Sequence, residues 1–367
     1  MPFDNVGAYA CQNLQVALLD YFGANSPEMR TYGSIAWLRW LLSPQNTANF
    51  ERIPIESMPG KIRPVAFQIN DPFCFDLARV ERVCTDNLGT ISQTPQEIVF
   101  EMNDIDPFVV VDGSGNPLKL KIDLKVLQTK CTINDQTWIT NQISRYLLRY
   151  EEALSKQLLS LMQTHIGTNY AGEAITNIPL WLTVGGKTNL NPEALFAINQ
   201  QMLNVQVDTN YAIIGDAVVN KILMYEKWQS GSDIGTDLSK FNPNNPYPFY
   251  DRNFGPIFGN FDFLAVPPGA VQLVSYNENA QGSSYNTQVT NLYSNGTIIL
   301  PRTGLAVDWE WRFDYECKIW VFEAKLRADL AVVPPGGCNT PNVNGIIQFH
   351  DCTQTPIFPA CPELPAA

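Results

Sequence analysis

Residues 135–166 read DQTWITNQISRYLLRYEEALSKQLLSLMQTHI and contain neither proline nor glycine. Apolar and aromatic side chains recur at steps of three and four, which predicts one buried stripe along a helix. Asp135 is suited to cap the start of this helix, and Gly167 is suited to end it in a left-handed conformation. The stripe comprises Ile139, Ile143, Tyr146, Leu147, Tyr150, Leu154, Leu158, Leu161 and Met162.

A helix of this length is a rod of about 45 Å, which is longer than the three or four turns of an average helix. We therefore expect it to be the spine on which other elements pack. An ordinary long core helix and a coiled-coil strand are the alternatives. The coiled coil is disfavoured because the stripe is wide and carries tyrosines.

The composition limits the classes of function. The chain has 367 residues, of which 45% are hydrophobic and only 16% are charged, and its formal net charge is −12. This length suffices for two or three structural units. Binding of nucleic acid over a broad surface is disfavoured, because such binding needs clustered Lys and Arg. The weakly charged, polar surface favours an oligomer.

No apolar run is long enough to predict a membrane span, and the amino terminus MPFDNVGAYACQNL lacks the basic region of a signal peptide. The sequence therefore predicts a cytoplasmic location. The eight cysteines form no CxxC pair and are expected to be free thiols in a reducing compartment.

Residues 1–59 are predicted to form an arm, with a short helix from Glu28 to Leu42 that carries Trp37 and Trp40. Two tryptophans on a short helix need an apolar partner. That partner is either the core of the same chain or a neighbouring subunit, and both tryptophans are candidate interface residues.

Residues 60–131 are predicted to be rich in β structure. The turn from Asp112 to Pro117 leads into a strand at Leu118–Val126, whose alternation predicts one buried face and one solvated lysine face. The tip of a projecting loop is placed either at Thr85–Gln96 or at this turn. In the turn, the candidate interface residues are Asp112, Gly113 and Gly115.

Residues 168–295 are predicted to form a separate α/β unit. Helices are expected at Pro192–Val205 and Ala217–Trp228, followed by a long loop at 229–260 that is dense in Gly, Pro, Asn and aromatic residues. Ordered loops of this length are usually functional. The aromatic residues predicted to contact a partner are Phe241, Tyr247, Phe249 and Tyr250.

Residues 296–333 return to β structure and are expected to pack on the spine helix at 132–167. The segment 334–367 contains prolines and cysteines and no Lys or Arg, so we expect an extended tail that builds no large core.

No motif of catalytic chemistry is present: GxSxG, P-loop, GxGxxG and HExxH are all absent. His165 is interpreted as a structural residue at the end of the helix. His350, Asp351 and Cys352 fit no zinc spacing, and the adjacent carboxylates Glu151 and Glu152 are expected to be solvated. The sequence predicts no enzyme, no cofactor and no metal site.

The order of elements resembles that of the major capsid proteins of tailed bacteriophages, which have the Hong Kong 97-type fold. The pieces most similar to this family are the spine helix, the segments PEALFAINQQMLNVQ and YAIIGDAVVNKILMYEKW, and the closing strands IILPRTGLAVDWEWRF and KIWVFEAKLRADLAVVPP. The resemblance covers about residues 30–335 as a layout, without a specific motif. Residues 1–30 show no long, charged scaffolding segment.

The resemblance implies an α+β fold in which the spine helix and a long β-sheet form a peripheral P domain. Residues 168–295 then form an inserted A domain, and a β-hairpin before the spine forms an E loop that overlaps a neighbour. It implies self-assembly as hexamers and pentamers, with scaffolding, portal and decoration proteins as further partners. The shell would be assembled in the host cytoplasm and become the virion capsid, enclosing DNA without specific binding.

An encapsulin-like compartment and another virion structural protein are the alternative functions. In the shell subunit, the centre of the spine stripe faces the sheet of its own chain. The opposite face, with Arg145, Arg149, Glu152 and Lys156, is directed to the shell interior or to a neighbour. The centre of the stripe is Ile143, Leu147, Leu154, Leu158 and Leu161.

Overall fold

The computed structural model describes residues 35–46, 50–53, 65–69, 96–100, 107–108, 110–132, 136–184, 187–205, 211–219, 247–276, 293–300, 302–332 and 345–353. These residues form a mixed α+β fold. The helices are α1 (Ala36–Leu41), α2 (Leu124–Thr132), α3 (Gln136–Leu161), α4 (Pro192–Asn204) and α5 (Phe254–Phe258). The strands before α4 are β1 (Phe50–Ile53), β2 (Val65–Ile69), β3 (Gln96–Phe100), β4 (Pro107–Phe108), β5 (Leu120–Asp123), β6 (Ile175–Ile178), β7 (Trp181–Val184) and β8 (Lys187–Leu190). Those after α4 are β9 (Ala212–Gly215), β10 (Tyr247–Tyr250), β11 (Asp262–Val266), β12 (Val271–Tyr276), β13 (Tyr293–Ile299), β14 (Ala306–Asp314), β15 (Ile319–Val332) and β16 (Ile347–Asp351).

The spine helix α3 begins at Gln136 and ends at Leu161, where a 3₁₀ turn over Met162–Thr164 follows. The expected start at Asp135 lies outside the described residues. The expected glycine cap is wrong, because Gly167 does not adopt a left-handed conformation. Its N–H instead donates to the carbonyl of Ile346 at 3.0 Å, so the end of the helix is fixed by a distant segment.

The buried face of α3 follows the predicted spacing except at its end. Ile143, Leu147, Leu154 and Leu158 are fully buried, whereas Leu161 is 39% exposed. The side chains of Leu159 and Met162 are buried in this region instead. Leu159 and Leu161 both precede the 3₁₀ turn, so the last turn of the α-helix itself presents a different face to the core.

The four-strand path β12-β15-β14-β13 forms the spine sheet. Strand β4 pairs with β15 at Leu326 and Arg327, and β5 pairs with β15 from Ile319 to Phe322. Alternate residues of β15 point to the spine helix, and their aromatic rings stack: Trp320 on Trp311 at 5.2 Å and Phe322 on Trp309 at 5.8 Å between ring centroids. The hydroxyl of Tyr146 in α3 accepts from the N–H of Ala324 at 2.9 Å. This contact joins helix and sheet directly.

Strand β5 is shorter than the predicted strand at 118–126, because the chain turns into α2 at Leu124. The physical reason is a helix cap: the Asp123 carboxylate accepts from the N–H of Lys125 at 2.7 Å. The expectation of a solvated lysine face is also wrong at Lys119, whose ammonium lies 3.1 Å from the Glu323 carboxylate.

A second sheet has the strand order β10-β9-β11-β16-β6, with parallel pairing at β10–β9 and at β16–β6. Strand β16 lies between β11 and β6, so it has a hydrogen-bonded neighbour on each side. Its residues Ile347 and Phe349 are fully buried. The interpretation of 334–367 as a tail without a core role is therefore wrong for Ile347–Asp351.

The five-stranded sheet is covered on both faces. Tyr211 and Ile213 pack in the cluster beneath α4, together with Phe349, whereas Ala212 and Ile214 belong to the cluster that surrounds the spine helix. The sheet therefore lies between α4 and the spine core.

Two predicted boundaries change. Strand β12, expected in the unit 168–295, pairs with β15 of the spine sheet. The loop expected at 229–260 contains β10 and α5 in its described part. Only Ala217–Val219 of the helix expected at 217–228 lies among the described residues.

In the described parts of the chain, no helix combines the length and the apolar character needed to cross a membrane.

The remaining β structure is an antiparallel pair, β7 with β8, and an antiparallel sheet of three strands in the order β1-β2-β3. Strands β2 and β3 enclose residues 70–95, which include most of the loop-tip alternative Thr85–Gln96 and lie outside the described residues. The other alternative, Asp112–Pro117, is a tight exposed turn closed by a bridge between Val111 and Pro117.

Truncation tests the central position of β16. A chain that ends after residue 344 lacks β16, which leaves β11 and β6 without their shared neighbour and removes buried Phe349. We expect this chain to be insoluble or to lose its cooperative unfolding transition, measured by circular dichroism during urea titration.

The matched control ends after residue 353 and retains β16. It is expected to unfold with a free energy within about 1 kcal/mol of the full chain, since the strand and its buried side chains remain. Equal stability of the two truncated chains would contradict the central role of β16.

Candidate functional site: a buried carboxylate clamp and the exposed turns

The turn between β13 and β14 is held by a carboxylate of the spine helix. Glu151 is fully buried, and one of its carboxylate oxygens accepts from the backbone N–H of Arg302 at 3.0 Å and of Thr303 at 3.1 Å. The Thr303 hydroxyl donates to the same oxygen at 3.1 Å. The other oxygen lies 2.7 Å from Nε of Arg302. These residues form what we call the carboxylate clamp.

The guanidinium of Arg302 is also buried and makes further contacts with α3. One terminal nitrogen donates to the carbonyl of Leu148, and the other lies 3.4 Å from the Glu152 carboxylate. Gly304 completes the turn with φ of 72°, in the left-handed region that favours glycine. The expectation that Glu151 and Glu152 are both solvated is therefore wrong for Glu151.

The sequence contains a signal for this clamp that composition alone does not reveal. Arg302, Thr303 and Gly304 follow directly after an apolar strand, in the segment RTGLAVD. A buried arginine requires a carboxylate partner. Glu151 on the spine helix is an acid that could serve as this partner. Because it is adjacent to Glu152, however, the sequence favours the interpretation of two solvated carboxylates.

Segment 35–46, which carries α1, is fixed by two polar side chains from distant parts of the chain and by the side chain of its own residue Asn46. The N–H of Trp37 donates to the carboxylate of Asp251 at 3.0 Å, and that of Leu38 to the hydroxyl of Ser155 at 3.3 Å. At the other end, the Asn46 side chain donates to the carbonyl of Val271 at 2.6 Å and accepts from the N–H of Gly269 at 3.0 Å.

The tryptophans of α1 lie in the core of their own chain, which is the first of the two alternatives that the sequence allowed. Trp37 is 0% exposed and Trp40 is 1% exposed. Trp40 contacts Phe249 of β10, with ring centroids 5.3 Å apart. The prediction that Trp37 and Trp40 contact a neighbouring subunit is therefore wrong, because neither side chain has exposed surface.

Of the other aromatic candidates, Phe249 and Tyr250 are half-buried. Tyr247 begins β10, and the structure describes its backbone position. Phe241 lies outside the described residues. The hydroxyl of Tyr250 and the carboxylate of Asp216 are hydrogen-bonded, and burial raises the pKa of both groups. These contacts stabilise the chain itself.

The turn at 112–117 is exposed and internally ordered. One Asp112 carboxylate oxygen accepts from the N–H of Ser114 at 2.8 Å and of Asn116 at 2.9 Å. Gly115 has φ of 80°, and no atom lies within 4 Å of where a side chain on Gly113 would begin. The candidate residues Asp112, Gly113 and Gly115 therefore form a rigid projection with open space around Gly113.

A second exposed surface was missed by sequence reasoning. On α4, Ala194, Ile198 and Met202 are buried, whereas Phe196 is 69% exposed and Leu203 is 45% exposed. The spacing of four between the buried residues was the available signal, because it places Phe196 and Leu203 on the other side of the helix.

The histidine and acid residues near the carboxyl end make structural contacts. His350 of β16 bonds to the Asp262 carboxylate of β11 through Nδ1. Asp351 accepts from the N–H of Leu180 at 3.2 Å and from that of Thr353 at 3.1 Å. Cys352 is exposed. Within the described ranges, no group of three or more His, Cys, Asp or Glu side chains is placed to hold a metal ion.

The sequence matches no protein-family profile and no curated protein. A search of solved structures finds, among others, a phage-related protein from Bordetella bronchiseptica RB50. The match has a TM-score of 0.33 and 10% sequence identity, and it covers 76% of this chain and 83% of the other. A likeness at this TM-score carries no conclusion about fold or function.

The clamp is tested by Glu151→Gln. The amide places an N–H group against the guanidinium and leaves the buried charge of Arg302 without its main partner, so we expect a loss of about 3–5 kcal/mol in unfolding free energy. The measurement is the urea unfolding transition followed by tryptophan fluorescence. Glu152→Gln is the matched control and is expected to cost about 1 kcal/mol or less, because the Glu152 side chain is 31% exposed.

The pH dependence of stability tests the burial of the Asp251 carboxylate. Burial raises the pKa of Asp251 above its ordinary value of 3.8, and the negative charge of Asp216 raises it further. The folded chain therefore binds this proton more tightly than the unfolded chain does. The stability that protonated Asp251 contributes is fully present below its ordinary pKa. This stability is lost as the pH rises through the raised pKa of the folded chain.

In Asp251→Asn this contribution is absent. We expect its unfolding free energy to change less steeply with pH than that of the natural chain, when urea titrations are compared between about pH 4 and pH 7. Two curves that remain parallel would show that Asp251 does not titrate differently in the folded chain.

Proposed function

We propose that this chain is the major capsid protein of a tailed bacteriophage, a shell subunit that assembles with copies of itself around the genome. The observation that carries the proposal is the path of the chain. The spine helix α3 packs on β15, although the α/β elements β6 to β11 stand between them in sequence. This path supports the proposal, because the resemblance implies a spine, an inserted unit and return strands in that order.

Three further features support a shell subunit. A long connection joins β2 and β3 of the three-stranded sheet. A loop that overlaps a neighbouring subunit needs a connection of such length. Exposed projections, at Gly113 and at Phe196, are available for contacts between copies. The net charge of −12 suits a wall that encloses DNA without binding it over a broad surface, because an acidic surface limits phosphate contacts to local groups of cations.

The partners follow from this proposal. Copies of the chain form the hexamers and pentamers, and scaffolding, portal and decoration proteins join them. The shell assembles in the host cytoplasm and becomes the virion capsid, with DNA enclosed and not bound by sequence. The chain has no enzymatic role and no cofactor. An encapsulin-like compartment is the alternative, and another virion structural protein is the second.

Electron microscopy and light scattering on the purified full chain test the proposal. We expect rings or closed shells, and nuclease treatment should distinguish enclosed nucleic acid from a protein cargo that co-purifies. The encapsulin-like alternative predicts the protein cargo. Monomers at every concentration and ionic strength would refute a shell function.

The variant Gly113→Trp tests whether the exposed turn contacts neighbouring copies. A Cβ at residue 113 meets no atom within 4 Å, so the folded subunit should keep its stability, measured by urea unfolding. A bulky ring at an intersubunit contact should reduce the yield of shells at least several-fold. Glu316→Trp, in the exposed turn between β14 and β15, is the control for a bulky surface residue. Unchanged assembly of Gly113→Trp would exclude the turn from the interface.

A further inference from the structure

The exposed face of the spine helix carries a narrow row of cations. Arg145, Arg149 and Lys156 are all exposed. At 3.6 residues per turn their directions fall within about 40° of one another, and they extend over about 16 Å of the helix. We call these three residues the basic stripe.

In the part of the chain that the structure describes, the basic stripe forms no ion pair that stabilises the fold. No carboxylate there is ion-paired with Arg145, Arg149 or Lys156. Arg145 and Arg149 are also four residues apart, a like-charge spacing that destabilises a helix. They lie in the middle of α3, where the helix dipole does not stabilise cations.

The acidic residues nearby do not offset the stripe. Glu151 is neutralised by Arg302 at 2.7 Å, and Glu152 lies between Arg302 at 3.4 Å and Arg252 at 3.5 Å. Two carboxylates therefore face two guanidinium groups. The three cations of the stripe remain as a local positive excess on a chain whose net charge is −12.

The surroundings of the stripe indicate the class of partner. The neighbouring positions on this face carry the amide of Gln142, the hydroxyl of Ser160 and the carboxylate of Glu152, which is paired with Arg252 and Arg302. The centre of a protein–protein interface is usually apolar and aromatic, and depleted in charge. A phosphate backbone, by contrast, is bound by Arg and Lys side chains and by polar groups, without an apolar centre.

We propose that the basic stripe binds the phosphate backbone of double-stranded DNA without reading its sequence. The inference rests on the proposed shell function, since it assigns this face of α3 to the inner surface of the shell. The contact is weak for one subunit, because only three cations take part. Repeated on every copy, it holds the outer layer of DNA against a wall that is otherwise acidic.

The test uses the unassembled full chain and a short fluorescent DNA duplex of mixed sequence, with binding followed by anisotropy. Three phosphate contacts predict a slope of log K against log salt of about −2.7, or about a 40-fold loss of affinity between 50 and 200 mM salt. In the triple variant Arg145→Gln, Arg149→Gln, Lys156→Gln, we expect this salt dependence to disappear and the affinity at 50 mM salt to fall by at least tenfold.

The matched control removes the same charge elsewhere. Lys121, Lys125 and Lys318 are exposed and lie on β5, on α2 and in the turn between β14 and β15, not on α3. The variant Lys121→Gln, Lys125→Gln, Lys318→Asn should bind DNA within about twofold of the natural chain. Equal losses in both triple variants would show that net charge alone governs binding, which overturns the proposal.

Three other results would also overturn it: no DNA binding at 50 mM salt, unchanged binding by the stripe variant, or tighter binding of polyglutamate than of DNA. The last would identify an acidic protein segment as the partner. Shell assembly of the stripe variant is examined separately by microscopy. Shells of the natural chain without DNA binding would refute the stripe alone, whereas the absence of shells from the natural chain would refute the proposed function.

Discussion

The contact between the Glu151 carboxylate and the turn at Arg302–Thr303 determines how the spine helix and the spine sheet fit together. Moving two charges out of water costs several kcal/mol for each ion, and only close hydrogen bonding on all sides offsets that cost. Here the carboxylate receives four donors, two from Arg302 and two from Thr303. A shift of the helix by one residue would remove all four, so the apolar packing has one permitted alignment.

The same logic extends to the amino-terminal segment. Apolar surfaces such as those of Trp37 and Trp40 supply much of the driving force for packing, but they tolerate sliding. Directional bonds to Ser155, Asp251 and Asn46 remove that freedom, and each joins segments that are more than 100 positions apart. Segment 35–46 is therefore part of the core of the molecule and not an appendage.

Sequence periodicity predicted the elements that are long and regular. Helix α3, helix α4 and the strands β14 and β15 lie within a few residues of their expected positions, because their burial alternates with the period of their own backbone. The clamp was not predictable in this way. The burial of Glu151 depends on a turn about 150 residues later, and a local pattern contains no information about such a partner.

The errors at the ends of elements have local causes that compete with periodicity. Asp123 ends an alternating strand because its side chain caps a helix, and Leu161 leaves the buried stripe in the last turn of the α-helix, where Leu159 is buried instead. Strand β16 was missed for another reason. The prolines and cysteines around it gave the composition of a tail, and the stretch IIQFHD at 346–351 is only six residues long, which is too short for its alternation to outweigh that composition.

The position of β16 has a consequence for the order in which the molecule can form. Leu180 and Asp351, which are bonded across the β6 end of the sheet, are 171 positions apart. During synthesis, β11 and β6 leave the ribosome long before the strand that belongs between them, and their facing edges must wait without pairing to each other. Contacts of such large sequence separation form slowly, and exposed strand edges invite aggregation meanwhile. We therefore expect the nascent chain to be prone to aggregation until β16 has been synthesised.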